Sequence, residues 1–318
     1  MVRKIELCYM TLRDCGLLER IHIAAALRGE EVLVQLLSEP SGGSDLAGVI
    51  TRADRRDGRW IINGAKTWST WAFAADYGLC LARTDWDAPK HSGLTMFLVP
   101  LQHPGITINR IRQVNGSVEF CEEFFDDVEV GDDAVVGEPG NGWEVASRQL
   151  FHERRTMGDG SEYTSGPGIA EAEDVSIDLL SLVDRTNQHD RERVREMIGR
   201  VFVHRTVHAQ LSEHVFHAVA SGSLPPTAGS IIRLSMAAVH DVETDTAQAV
   251  AGSAAVVEDD AELLDIGTRC LGRQIASIGG GTTEMARNVI GERVLNFPRE
   301  YAADRGVPFN QVRRNRLS

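Results

Sequence analysis

Along residues 31–136 the apolar positions gather in short β-type runs, EVLVQLL, RWIINGAKTW, YGLCLART, LTMFLVPL, ITINRIRQV and VEFCEEFFDDVEV, separated by turn signals. Asn63-Gly64 inside the second run reads as a hairpin turn. Ahead of these runs, Leu12, Leu17, Leu18, Ile21, Ala25 and Leu27 form the apolar set of a short helical lead-in that stops at Gly29. Gly137, Pro139, Gly140 and Gly142 then punctuate the chain, and helical periodicity continues to the C-terminus with Pro225-Pro226 as the one strong breaker. The pattern predicts an α+β multidomain chain. Residues 1–30 are a helical lead-in, 31–141 a central antiparallel β domain, barrel- or sandwich-like, and 142–318 a C-terminal helical bundle. The stretch 160–168, GSEYTSGPG, is expected to be a mobile loop.

With 318 residues, 42% of them hydrophobic, the chain can bury one large core or two to three smaller ones. No apolar run approaches the ~18 residues a membrane span requires, and the charged first thirty residues do not make a secretory apolar region. The expected location is cytoplasmic. A formal charge of −13 argues against nucleic acid or an anionic membrane surface as partner, so any polyanionic ligand must be held by a local site. Cys8, Cys15, Cys80, Cys121 and Cys270 are scattered with no CxxC, which suggests neither a disulfide framework nor a zinc site. His204 and His208 have the i, i+4 spacing of metal ligands but no carboxylate to complete a set, so no metal is expected. The charged run 184–200 reads as a solvated helix face.

Three segments carry candidate chemistry. In LLSEPSGGSDLAG a strand runs into Ser38 and then Gly42-Gly43-Ser44-Asp45, where glycines allow close backbone approach and the serines add hydroxyls. Such a loop suits a flavin or phosphate edge; its plain alternative is a turn. WIINGAKTWST brings Trp68, Ser69 and Thr70 out together at a strand end, unless the indole is simply core. In the helix that carries FHERR, Trp143, Ala146, Leu150, Glu153 and Met157 recur at spacings of 3, 4, 3 and 4, placing Glu153 in an apolar stripe. Desolvation there should raise its pKa toward that of a general base, with Arg154 opposing if the two pair, and the structural alternative is an ion pair that pins helices.

In this order the strings resemble the flavin-binding middle domain of the acyl-CoA dehydrogenases, whose signatures read close to SEPGAGSDLAG and INGxKxWxT. The resemblance continues through GLCLARTD, HSGLTMFLVPLQHPGITINRIRQV and EFFDDVEV, and returns at SIGGGTTEMARNVIGERVLNFPRE, so that it covers residues 24–160 and 262–300. It implies FAD as cofactor and an acyl-CoA substrate oxidised to its 2,3-enoyl form, with electron-transfer flavoprotein as acceptor. By the same resemblance Ser38 meets the flavin ring, Ser44 lies near the pyrophosphate and the CoA portion, and Trp68 and Thr70, with Ser69 between them, flank the isoalloxazine. In GGGTTE, Gly281, Thr282 and Glu284 would approach the ADP part, and a glycine-rich turn opening a helix does present N–H groups to phosphate.

Many family members carry the catalytic base at the position occupied here by Gly280, whereas isovaleryl-type and several steroid side-chain enzymes carry it on the first helix after the β domain, where this chain has Glu153. The backbone N–H of Gly280, with a flavin ribityl hydroxyl, would then stabilise the enolate. The resemblance also makes residues 1–30 the tail of an N-terminal helical domain otherwise mostly absent. The usual Arg-x-x-Phe-Gly loop is not recognisable. These departures imply a homo- or hetero-oligomer, and leave open a non-catalytic or half-site structural subunit.

Overall fold

In a computed structural model the described residues are 28–156, 177–257 and 260–313, with Cys8, 10–12, Asp14, Cys15 and 24–26. They divide into two compact units, one made of Met1–Met157 with Glu300–Ser318 and the other of Gly158–Arg299.

The first unit is built on an eight-stranded sheet: β1 (Leu33–Leu36), β2 (Arg52–Arg56), β3 (Arg59–Thr70), β4 (Tyr77–Arg83), β5 (Leu94–Pro100), β6 (Ile106–Arg110), β7 (Phe120–Val130) and β8 (Val135–Val136). The order is β6-β7-β3-β2-β4-β5-β8, with β1 also paired to β4. Most pairings are antiparallel, as expected, but β1 and β2 each lie parallel to β4 and the sheet does not close into a barrel. Parallel pairing needs an intervening excursion, and the β2–β3 hairpin with its return supplies one between β1 and β4.

Alternate residues of β4 and β5 enter two different cores. Leu79, Leu81, Leu94, Met96 and Leu98 belong to one, and Cys80, Ala82, Phe97 and Val99 to the other. Burial on both faces is why these strands read as unbroken apolar runs.

The tight turn of the β2–β3 hairpin is at Asp57-Gly58, with φ of 49° and 79°, a pair of positive values that a two-residue primed turn demands. The expected turn at Asn63-Gly64 is instead a β-bulge: β3 runs straight through it with a register shift against β7 between Ile62 and Gly64. Gly64 has φ +146°, and a Cβ there would stand 2.7 Å from the Thr51 Cα, so close packing, not chain reversal, explains the glycine.

Helix α1 (Gly142–Thr156) packs on this sheet through Val145 and Ala146, and it also buries Gln149 and His152. Trp143, Leu150 and Glu153, three members of the stripe read from the sequence, are half-buried at the margin of that face. The rotation goes with two buried polar contacts: Gln149 Nε2 donates to Gln35 Oε1 at 3.3 Å, and His152 Nε2 lies 2.8 Å from Asp14 Oδ2, while Gln149 Oε1 and His152 Nδ1 have no hydrogen-bond partner among the described residues. Of the helical lead-in, Cys8, Leu12 and Ala26 join the first core, while Leu17, Leu18, Ile21 and Leu27 lie outside the described residues. So do Met157 and the 160–168 stretch.

The second unit contains α2 (Leu179–Thr186), α3 (Glu192–Ala220), α4 (Gly229–Ala251), α5 (Ala254–Val257), α6 (Ala261–Gly272), α7 (Ile275–Ile278) and α8 (Thr283–Val289), followed by a π-helical turn, Ile290–Val294. Leu179, Leu182, Val183, Val194, Val201, Ala247, Val250, Leu263 and Ile266 form its core. Pro225 and Pro226 open the single-turn helix Pro226–Ala228 that separates α3 from α4. The charged run 184–200 is not one helix face, because Asn187 ends α2 in the left-handed conformation (φ 50°) and α3 starts only at Glu192.

Candidate active site

The loop after β1 and the last third of β3 lie side by side, and this adjacency assembles the β-unit candidates. The Thr67 N–H donates to the Ser38 carbonyl at 3.0 Å, bringing Ser38 against the backbone that leads into Trp68. A Cβ on Gly43 would stand 3.2 Å from Ser38 Oγ, so the glycine loop folds back over Ser38 with Ser44 exposed beside it. A second register shift between Thr67 and Ser69 puts Trp68 at φ 65° and turns its indole outward, 56% exposed, with its edge on Phe120 at 5.8 Å. The same bulge turns Ser69 inward, where its hydroxyl donates to Glu123 Oε2 at 3.0 Å, and leaves Thr70 half-buried. Ser38, Ser44, Trp68, Ser69 and Thr70 thus occupy one corner of the sheet.

Beneath that corner lies a buried charge network that the sequence reading missed. Lys66 is fully buried and donates to Glu39 Oε1 at 2.9 Å and to the Leu37 carbonyl at 3.2 Å. Glu39 also accepts from the N–H groups of Ile50, at 2.7 Å, and Thr51, at 2.8 Å. Burial works to raise its pKa, but Lys66 and these donors outweigh it, so the carboxyl is held below its ordinary value. Glu123 shows the opposite outcome: burial pushes its carboxyl up to about 8 against the opposing effects of Ser69 and Lys66, and its Oε1 has no hydrogen-bond partner. At neutral pH Lys66 and Glu39 are an ion pair and Glu123 is a neutral acid. The only sequence signal for this was the odd presence of ionisable residues within β-type runs.

Glu153 sits half-buried on α1, one turn beyond Gln149, whose amide reaches Gln35 on β1. The Arg154 side chain lies outside the described residues.

The remaining candidates belong to the helical unit. Gly280 and Gly281 have φ of 68° and 97°, a left-handed turn that a side chain at Gly280 would strain. Arg233 on α4 donates to the carbonyls of Gly279 and Gly281, the latter at 3.3 Å, and so ties this turn to its own bundle. Thr282 caps α8, its hydroxyl accepting from the Met285 N–H at 3.1 Å, and Glu284 accepts from Thr283 and Arg287. In the same unit His208 Nδ1 meets Ser235 Oγ at 3.1 Å, and among the described residues no group of three side chains is placed to hold a metal ion. No helix among them is long and apolar enough to cross a membrane.

The residues around Ser38 fit FAD: an outward-turned indole and hydroxyls suit a large ring, and the exposed glycine loop has open space above Gly42.

The family model for the acyl-CoA dehydrogenase middle domain matches residues 35–128, and that for the acyl-CoA dehydrogenase C-terminal domain matches residues 140–295. Acyl-CoA dehydrogenase FadE34 of Mycobacterium tuberculosis is 36% identical over 291 residues, covering 91% of this chain but 39% of that protein, so the chain spans about two fifths of this relative's length. Acyl-CoA dehydrogenase IpdE1 of the same organism is 36% identical over 270 residues, 85% of this chain and 68% of that protein. Among solved structures, the Tcur3481-Tcur3483 steroid ACAD superposes with a TM-score of 0.76 at 24% identity, over 91% of this chain and 75% of that one. The ChsE4-ChsE5 complex from Mycobacterium tuberculosis does so with a TM-score of 0.67 at 23% identity, over 89% and 72%. Two family models matched in order, and a relative 36% identical over 68% of its length, show that the chain belongs to the acyl-CoA dehydrogenase family.

Proposed function

We propose that this chain is a flavin-binding subunit of an acyl-CoA dehydrogenase that oxidises an acyl-CoA thioester to its 2,3-enoyl form. The observation that carries the reading is the convergence of Ser38, Ser44, Trp68, Ser69 and Thr70 at one sheet corner. When bound there, FAD supplies the acceptor for the β-hydrogen and its electron pair. The chain's own groups do the rest. Trp68 would offer its exposed indole to the ring system, Ser38 and Thr70 would supply hydroxyls to ring heteroatoms, and the glycine loop with Ser44 would lie against the pyrophosphate. Gly281, Thr282 and Glu284 belong to the ADP end.

Glu153 is the general base that takes the α-proton, and the N–H of Gly280 steadies the thioester oxygen as negative charge develops on it. A glycine at 280 leaves no carboxylate at the family's commoner base position, so Glu153 carries that role. Electron-transfer flavoprotein is the acceptor that returns the cofactor to its oxidised state, and the working form is a cytoplasmic oligomer. A second reading, a half-site subunit that completes an active partner, is favoured by the ChsE4-ChsE5 complex, a relative in fold built from two different chains.

Two measurements test these readings. A bound-flavin-to-chain ratio near one in the purified assembly is expected, and a colourless folded assembly that takes up no FAD sinks the flavin role. Glu153→Gln keeps the shape of the side chain but cannot accept the proton, so turnover should fall by at least ~10²-fold with flavin content and acyl-CoA binding nearly unchanged. Near-normal turnover in that variant would move the base elsewhere.

A further inference from the structure

Residues 300–313 follow the helical unit in sequence yet belong to the β unit, and what they grip there is the neighbourhood of the Gly42–Ser44 loop. Phe309 is 1% exposed. Its N–H donates to the Ala88 carbonyl at 3.0 Å, the Asn310 N–H donates to the Trp86 carbonyl at 2.9 Å, and Pro308 bridges Pro89. The centre of the Phe309 ring lies 3.4 Å from the guanidinium carbon of fully buried Arg83, and the ring packs at a tilt of 49° against Trp86, centroids 5.5 Å apart.

Two connections lead from this anchorage to the glycine loop. Arg83, with Phe309 on its face, donates to the Ala47 carbonyl at 2.6 Å and the Val49 carbonyl at 3.2 Å, which are the loop's exit, and to the Lys90 carbonyl at 3.1 Å. Lys90 Nζ lies between Asp45, at 3.0 and 3.2 Å from its two oxygens, and Asp304, at 2.5 Å. The Lys90 side chain is only 15% exposed and Asp304 28%, so this end of the network is more sheltered than an ordinary surface pair, while Asp45 stays 67% exposed. Asp45 immediately follows Ser44, and its carboxylate, left alone, would repel a phosphate brought to the loop. Lys90 offsets that charge, and Asp304 with Phe309 keeps the segment around Lys90 in place.

We infer that residues 300–313 are a clamp that sets the Ser41–Gly48 loop for its phosphate-bearing ligand, with Lys90 and Arg83 as positioning residues. This deepens the flavin reading proposed above and rests on it for the identity of the ligand. The clamp itself rests on the contacts alone.

The test uses the full-length protein with any partner that copurifies, and compares wild type with Phe309→Ala, Phe309→Leu and Lys90→Met. Hydrogen exchange over residues 41–48 reports the loop directly, because the Gly42 and Gly48 N–H groups are bonded at 2.9 and 2.8 Å to the Glu39 and Asp45 carbonyls. Phe309→Ala lies outside the loop and changes no charge. It should speed exchange there by roughly tenfold or more and weaken FAD binding by about tenfold, with Phe309→Leu recovering much of both. Lys90→Met should do the same with little effect on overall stability, which keeps the test open if Phe309→Ala fails to fold. Loop exchange at the wild-type rate in Lys90→Met and in a folded Phe309 variant would overturn the clamp. A loosened loop with wild-type FAD affinity would overturn its part in ligand binding. A wild-type protein that takes up no FAD counts against the flavin reading, and the exchange measurement still decides the clamp.

Discussion

The two units differ in how far they draw charged groups inside and leave aromatic groups outside. The β unit draws polar groups inside: Lys66, Glu39, Arg83, Glu123, Gln149 and His152 are all buried, most of them in named hydrogen bonds, around two apolar cores. The helical unit leaves apolar groups outside, among them Phe202, Val203, Val207 and Phe216 on α3 and Phe297 after α8, all more than half exposed. A unit that carries polar groups in its core is committed to one arrangement, since each group needs its partner. A unit with an apolar exterior has hydrophobic surface to offer a partner. On this comparison the sheet unit is fixed from within, whereas α3 of the bundle carries apolar surface outside.

The sharpest way to break that contrast is at the buried pair. Lys66→Met leaves the Glu39 carboxylate charged in the core, and about 3–5 kcal/mol of stability should be lost, as in other cases where one member of a buried pair is removed. Denaturant unfolding monitored by Trp fluorescence reads this directly. A loss under about 1 kcal/mol would mean that water already reaches the pair.

Next in size is Glu123. Burial lifts its folded carboxyl to about 8 from an ordinary 4.5, so between those values the folded chain keeps a proton that the unfolded chain has released. Its contribution to stability is therefore complete below pH ~4.5, declines as pH rises and is gone above about 8. Unfolding free energy should fall across that interval by up to about 1.4 kcal/mol for each pH unit, roughly 5 kcal/mol at most, and Glu123→Gln should flatten the profile. An unchanged profile in the variant assigns the titration to another group.

Gly64→Ala tests how tightly the bulge is packed. A methyl group there meets the Thr51 backbone at 2.7 Å in a positive-φ conformation, and a loss of about 1–3 kcal/mol is expected in thermal or denaturant melts. The smallest effect on folding belongs to the bundle. Phe202→Glu combined with Phe216→Glu should move monomer stability by less than about 0.5 kcal/mol, yet lower the oligomer mass seen in sedimentation. Unaltered association would remove α3 from the contact surface.

The sequence made the strands legible because apolar runs and their breaks need no knowledge of neighbours. Asn63-Gly64 misled because the same dipeptide serves a turn or a bulge, and only Thr51, thirteen residues before Gly64, decides which. The true turn, Asp57-Gly58, carried an equally good signature. Ser38, Ser44 and Trp68 stood out by residue type and order, whereas Glu39, Lys66 and Glu123 did not, since their burial depends on partners 27 and 54 residues away, Lys66 for Glu39 and Ser69 for Glu123. The stripe on α1 was misjudged for a related reason: Gln149 and His152 look solvent-facing until Gln35 and Asp14 are placed opposite them.

That residues 300–313 finish a unit whose strands end at Val136 has a consequence for how the protein is made. About 170 residues separate the last strand from Phe309, and at ~5–20 residues per second a ribosome needs roughly ten to thirty seconds to supply them. Through that interval the nascent sheet carries Arg83 and Trp86 without the aromatic lid that later covers them, and the Lys90 ammonium has only Asp45 for company. Setting of the Ser41–Gly48 loop is thus timed by the emergence of residues 300–313, after the helices have emerged, and a stalled or nicked product that stops short of Glu300 would hold a nearly complete sheet with an unset loop.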